Sequence, residues 1–196
     1  MARLDHIAQR LAAAPNSDHG ITNTGPSAAV AAILRELPGA DGADIFFIQR
    51  AEQVGDPWSG HIAFPGGRRD PEDESLLATA IRETREEVGI DLSVDHFLAR
   101  LPDVSAFVRS KSGKHLVVTP FVFALPADVP VIPNNEVAST LWVPLATLAR
   151  GEGKGSFKLD YDGKSFDLPC IQLEPGQHRL WGMTYLMLET LLDALK

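Results

Sequence analysis

Apolar residues recur along this chain at two spacings, and the change between them marks out its elements. Leu4, Ile7 and Leu11 sit three to four positions apart, which predicts a short amphipathic helix at the start. "AAVAAIL" (28–34) is too short for periodicity to separate a strand from a buried helix. The "ADGAD" turn and the run "IFFIQR" (45–50) that follows favour two strands joined as a hairpin. "HIAF" (61–64) reads as another short strand, ended by Pro65-Gly66-Gly67. A helix over about 73–88 comes next, with Asp73 as its N-cap, Glu74 at the end that favours negative charge, and Gly89 as a left-handed C-cap.

Beyond it, "HLVVTPFVFAL" (115–125) is rich in β-branched residues and reads as a strand despite Pro120, and "VASTLWVPL" (137–145) as a further one. "FKLDYDGKSFDLP" (157–169) is patterned as a hairpin turning at Asp162-Gly163. Met183, Met187, Leu191 and Leu195 repeat at helical spacing over 180–195, a stripe assigned to core packing. Strands and hairpins with a few helices define an α+β or α/β sandwich around a mixed sheet.

With 196 residues, 44% of them hydrophobic and 22% charged, the chain suits one domain with a sizeable core. The expected organisation is therefore a single domain over 1–196 with an N-terminal helical extension. The formal net charge of −8 argues against a nucleic-acid partner, which would need a basic footprint. It leaves room for a small anionic ligand, since a cation or a few Arg reverse the field within one cleft. Cys170 is the single cysteine, so an intrachain disulfide is excluded and a buried thiol is expected. The N-terminus does not resemble a signal peptide, and no apolar run approaches the roughly 18 residues a membrane span requires. These features predict a soluble, cytoplasmic protein without a membrane partner.

The main helix carries its charge at the unfavourable end. Glu83, Glu86 and Glu87 fall within one arc of about 100° close to the helix C-terminus, where the macrodipole is negative. Glu83 and Glu87, as i,i+4 neighbours, repel by roughly 0.2–0.5 kcal/mol in an isolated helix. Leu77, Ala80, Ile81, Thr84 and Val88 form a separate, core-facing arc, and Arg82 lies one turn before Glu86, within reach of it. A divalent cation such as Mg²⁺, which favours carboxylate, water and phosphate oxygens, would remove both the repulsion and the clash with the dipole.

"GGRRDPEDESLLATAIRETREEVGI" resembles the Nudix box of the Nudix hydrolases: a Gly, five residues, a Glu, seven residues, then Arg-Glu-aliphatic-any-Glu-Glu-any-Gly-aliphatic. Arg82, Glu83, Glu86, Glu87, Gly89 and Ile90 match, with seven residues between Glu74 and Arg82. Two positions depart. Six residues separate Gly67 from Glu74, and Thr84 stands in the aliphatic slot. The loop "FPGGRRDPED" is most similar to the coenzyme A diphosphatase branch. Gly60 and Arg50 fit that branch's upstream signature, whereas Trp58 stands in its His slot and Asp56 in its second Arg slot.

The resemblance implies a Nudix-type α/β/α sandwich that hydrolyses a nucleoside diphosphate linked to a moiety X, giving a nucleoside monophosphate and phospho-X with Mg²⁺ or Mn²⁺. It implies Glu83, Glu86 and Glu87 as metal ligands, Arg82 as their orienting partner, and Gly66 and Gly67 as a close backbone approach. Arg50 and Arg68 are candidates for substrate phosphate. A general base comes from the box (Glu86, Glu87) or from Glu136 in "PNNEV". Packing is favoured over base stacking for Trp58, Phe107 and Trp181, and a structural role for His61. The alternatives are ADP-ribose, nucleotide-sugar or nucleoside triphosphate hydrolysis, a structural metal site, and a non-catalytic nucleotide-sensing module. The sensing module is disfavoured because all three box Glu are present and no second domain is evident. A homodimer is also open, since the N- and C-terminal helices each present an apolar face.

Overall fold

β-Branched and aromatic runs, interrupted by Gly and Pro, build an eight-stranded mixed sheet with helices on both faces. The computed structural model describes residues 3–13, 26–36, 42–54, 58–109, 115–125, 129–161, 163–174 and 178–196. The helices are α1 (Leu4–Ala13), α2 (Leu76–Val88), α3 (Leu145–Ala149) and α4 (Gly182–Ala194). The main sheet comprises β1 (Ser27–Arg35), β2 (Asp44–Arg50), β3 (Ile62–Ala63), β4 (Gly66–Arg68), β5 (Phe97–Arg100), β6 (Val104–Arg109), β7 (His115–Leu125) and β8 (Val137–Pro144). Strands β9 (Lys154–Tyr161), β10 (Lys164–Glu174) and β11 (His178–Trp181) form a second, three-stranded sheet.

The apolar run at 28–34 resolves as a strand. β1 pairs antiparallel with β2, Leu34 opposite Ile45, and parallel with β7 from Ser27–Val117 to Arg35–Leu125. Its side chains alternate between two cores. Ala28, Val30, Ala32 and Leu34 join α1 and α4 residues (Ile7, Leu11, Met187, Leu188, Leu191) on one face. Ala29, Ala31 and Ile33 join Phe46, Ile48, Phe123 and the α2 residues Ala80 and Val88 on the other. The sandwich is therefore α/β/α, as expected. The apolar faces of α1 and α4 are buried within the chain itself.

Pro120 is accommodated by a change of partner. β7 pairs with β6 at Val118–Val104 and with β5 at Phe121–Arg100, so the residue that lacks an N–H falls between the two ladders. Its carbonyl still accepts from Leu101 N at 2.9 Å.

Several boundaries shift from the sequence reading. Asp73 is not the cap of α2. Ser75 is, its side chain accepting from Ala78 N at 3.1 Å, and the helix starts at Leu76. The "FPGG" segment continues into β4, and "VPL" turns into α3. The expected hairpin forms, with Gly163 at φ 71°, whereas Asp162 lies outside the described residues. Cys170 is buried. Among the described residues no helix is long and apolar enough to cross a membrane.

Candidate active site

The site grows from the way α2 lies over β4. Gly66, Gly67 and Arg68 pair with Val30, Ala29 and Ala28, which brings this glycine strand directly under the helix. A side chain at Gly66 would collide with the Ala29 carbonyl, and Gly66 has φ 146°, a backbone state that favours glycine. One at Gly67 would collide with the Glu83 carboxylate. The two glycines are thus required by close approach, on one side to a neighbouring strand and on the other to a box carboxylate.

The three box carboxylates, gathered on one arc by sequence, occupy three different environments. Glu87 is buried, 3% exposed, and accepts from Gly66 N at 2.8 Å. Glu83 is half-buried, and Glu86 is exposed. Burial pushes the Glu87 carboxyl up to about 7, against the opposing effects of the Gly66 N–H and Arg50, with Glu83 and Glu136 adding repulsion. Burial likewise raises Glu83, with the charges of Glu86 and Glu136 acting in the same direction and Arg82 in the other. Glu136, in the turn that precedes β8, makes the smallest of these contributions to both carboxylates.

Arg82 is the hub of this face. Its Nη1 donates to Glu83 Oε1 at 2.9 Å and to Glu86 Oε2 at 3.0 Å, and its Nη2 to the Arg68 carbonyl at 3.2 Å. The other side of the guanidinium is clamped by Asp73, with Nε on Oδ1 and Nη2 on Oδ2, both at 2.9 Å. Asp73 is itself buried. Its Oδ2 also accepts from Asp70 N at 2.9 Å and from Thr79 Oγ1 at 2.8 Å. These bonds, those from Arg82 foremost, hold the Asp73 carboxyl well below the usual carboxylate range. The pairing with Asp73 in turn raises Arg82 above its ordinary value.

Sequence reasoning paired Arg82 with Glu86, a contact the structure contains, and missed its anchor Asp73. Asp73 and Arg82 lie nine positions apart across a loop–helix junction, where no helical spacing rule applies. The acidic density of "DPED" was the available signal. Glu74, in the box's Glu slot, is exposed.

Arg50 reaches the site from β2, its Nη1 3.9 Å from Glu87 Oε1. Arg68 contributes its carbonyl, and its side chain is exposed. Thr84 is fully buried and donates its hydroxyl to the Ala80 carbonyl at 2.7 Å, which explains how a polar residue occupies the aliphatic slot. Trp58 packs against the core, Trp181 lies 4.7 Å from the His61 ring and 5.2 Å from Phe157. The side chain of Phe107, and Asp56, lie outside the described residues.

Among the described residues no three carboxylate or imidazole groups converge into a metal cage. The donor chemistry nonetheless suits a hard divalent cation. Three carboxylates share one helix face, two of them raised by burial, and the cations beside them are the guanidinium groups of Arg82 and Arg50. An open arrangement of a few carboxylates, completed by water and phosphate oxygens, is how Mg²⁺ is ordinarily held.

A mixed sheet between helices, with an acidic helix end resting on a glycine strand, defines an α/β/α sandwich built around an oxygen-donor site. The NUDIX domain model matches residues 25–160, and the chain belongs to the Nudix family. It is 48% identical over 88 residues to the uncharacterized Nudix hydrolase NudL of Yersinia pestis (strain Pestoides F), an alignment covering 44% of this chain and 41% of NudL. The chain thus spans about two fifths of the length of the curated relatives it matches. Among solved structures it is similar to the NUDIX domain of Shewanella oneidensis NrtR complexed with ADP ribose, with a TM-score of 0.57 and 17% identity over 89% of this chain and 90% of that one. It is also similar to the MutT Nudix hydrolase from Burkholderia pseudomallei, with a TM-score of 0.52 and 23% identity over 84% of this chain and 96% of that one. At these identities the structural matches carry the fold alone.

Proposed function

We propose that this chain is a pyrophosphohydrolase that splits a nucleoside diphosphate linked to a second moiety, releasing a nucleoside monophosphate and a phosphorylated product. The observation that carries the reading is the face formed by Glu83, Glu86 and Glu87, which Arg82 organises and Gly66 and Gly67 bring against the sheet. Family membership and the presence of Arg82 with all three box Glu support it.

Glu83, Glu86 and Glu87 are the residues that would hold Mg²⁺ or Mn²⁺. Such an ion, when bound, supplies neutralisation of pyrophosphate charge and orientation of the attacking water. Arg82 keeps Glu83 and Glu86 facing the same space, and Asp73 keeps Arg82 from swinging away. Arg50 lies where it can meet a substrate phosphate oxygen once Glu87 is engaged elsewhere. Arg68 is the second candidate for that contact, from the exposed end of β4. Glu136, whose charge raises Glu83 and Glu87, is the proposed general base that takes the proton of the attacking water. The whole of 1–196 is read as one catalytic domain. In support, Ile7 and Leu11 of the N-terminal extension pack in the same core as α4.

Coenzyme A is the substrate favoured by the "FPGGRRDPED" loop, with ADP-ribose, nucleotide sugars and nucleoside triphosphates as the competing set. The test is a hydrolysis screen with Mg²⁺ over coenzyme A, ADP-ribose, nucleotide sugars, dinucleoside polyphosphates and nucleoside triphosphates, with products resolved by chromatography. Two monophosphate products identify a linked diphosphate, whereas release of pyrophosphate identifies a triphosphate. Glu86→Gln is expected to lower turnover by orders of magnitude while the circular dichroism spectrum stays unchanged. A variant that keeps most of its activity would reduce this helix face to a solvated surface.

A further inference from the structure

The segment joining β7 to β8 is tied to the metal-facing helix by its own backbone. Ile132 N donates to the Val88 carbonyl and Asn134 N to the Glu87 carbonyl, both at 2.8 Å. Carbonyls in the last turn of a helix have no partner within it, so this segment serves as an external cap for the turn that carries Glu86 and Glu87. The Asn134 side chain then turns back, its Oδ1 accepting from Glu136 N at 2.8 Å. The Glu136 carbonyl is held from the opposite side by Ala51 N at 2.7 Å, the residue after Arg50. Val137 N closes onto the Asn134 carbonyl at 3.3 Å as β8 begins.

We propose that Asn134 is a positioning residue whose side-chain oxygen fixes Glu136 relative to the box carboxylates, so that the general base and the metal-facing turn move as one body. The inference rests on the reading of Glu136 as that base. Glu136 sits in an exposed turn, and its placement comes from the peptide groups around it. Asn134 is the residue that joins those peptide groups to the helix. A displacement of about 1 Å in a reacting group can cost a hundredfold in rate, which is the scale at which such a tether matters.

The experiment is a double-mutant cycle between Asn134→Ala and Glu136→Gln, with Mg²⁺ and the nucleotide of the above screen that turns over fastest. Asn134→Ala is expected to lower kcat 10- to 100-fold with KM within about twofold, and to cause no further loss in the Glu136→Gln background. Asn134→Ser, which keeps an acceptor oxygen, should recover most of the rate. If Asn134→Ala does not fold, Asn134→Gln, which displaces the acceptor, carries the same cycle. Equal losses in both backgrounds, or no loss in either, overturn the positioning role and leave the base untouched. A Glu136→Gln variant at the wild-type rate, or no hydrolysis of any screened nucleotide, overturns the reading beneath it.

Discussion

Replacing Glu87 by Gln takes a charge out of a place where the fold disfavours it. The Glu87 carboxyl is pushed from 4.5 to about 7 by burial, while its Oε2 accepts from Gly66 N. An acid whose value is raised in the folded state binds its proton more tightly there than in the unfolded chain. The metal-free protein therefore loses stability as pH rises from about 4.5 to about 7. At about 1.4 kcal/mol per pH unit, the ionised carboxylate costs roughly 3 kcal/mol at pH 8 and almost nothing at pH 4. Gln keeps an oxygen for the Gly66 N–H and carries no charge, so it escapes that cost. In a protein of this size the difference corresponds to a melting temperature roughly 6–12 °C higher for Glu87→Gln at pH 8 in EDTA. The gap should shrink toward zero as pH is lowered to 4. Groups not coupled to Glu87, Asp73 among them, are common to both proteins and cancel. Saturating Mg²⁺ should stabilise the wild type more than the variant, which keeps Glu83 and Glu86 but lacks the third carboxylate. A Glu87→Gln protein that melts below the wild type at pH 8, or by the same offset at pH 4 and pH 8, would refute the account of Glu87 as a buried charge that Gly66 N–H and Arg50 only partly compensate.

Asp73→Asn should cost about 1.5–3 kcal/mol by urea denaturation, because it weakens the charge-assisted clamp on the Arg82 guanidinium, which keeps its bonds to Glu83 and Glu86. It should also flatten the acid limb of stability. A depressed carboxyl stabilises above its ordinary value of 3.8 and loses that contribution as pH falls below it, so an unchanged acid limb would count against the pairing. Gly67→Ala should cost about 1–3 kcal/mol and displace Glu83, read as a lower melting temperature and weaker Mg²⁺ binding by calorimetry. Unaltered Mg²⁺ affinity would mean that Glu83 does not depend on that glycine for its place.

The parts of this molecule legible in its sequence are those governed by local periodicity. β7 runs from His115 to Leu125 as its β-branched residues imply, and the arc of Leu77, Ala80, Ile81, Thr84 and Val88 turns toward the core. The pairing of Arg82 with Glu86 followed from one helical turn. What escaped was set by chain segments meeting in space. Asp73 looked like a cap because it precedes a helix, but a carboxylate that can reach a guanidinium two turns away serves that partner instead, leaving the cap to Ser75. The inequality of the three Glu was equally hidden, since a helical wheel gives direction without depth. β4 and β11 are too short for any pattern to register, and they become strands only because β1 and β10 lie beside them.

Four of the seven residues that β1 buries are alanine, a residue somewhat depleted in sheets. Ala29 and Ala31 face α2, and the Ala29 carbonyl lies against Gly66. Any larger side chain there would lift the helix and its carboxylates off the sheet. In a saturation scan this strand should therefore be as intolerant as the acidic helix itself, and growth in residue size, rather than loss of polarity, should mark its damaging substitutions.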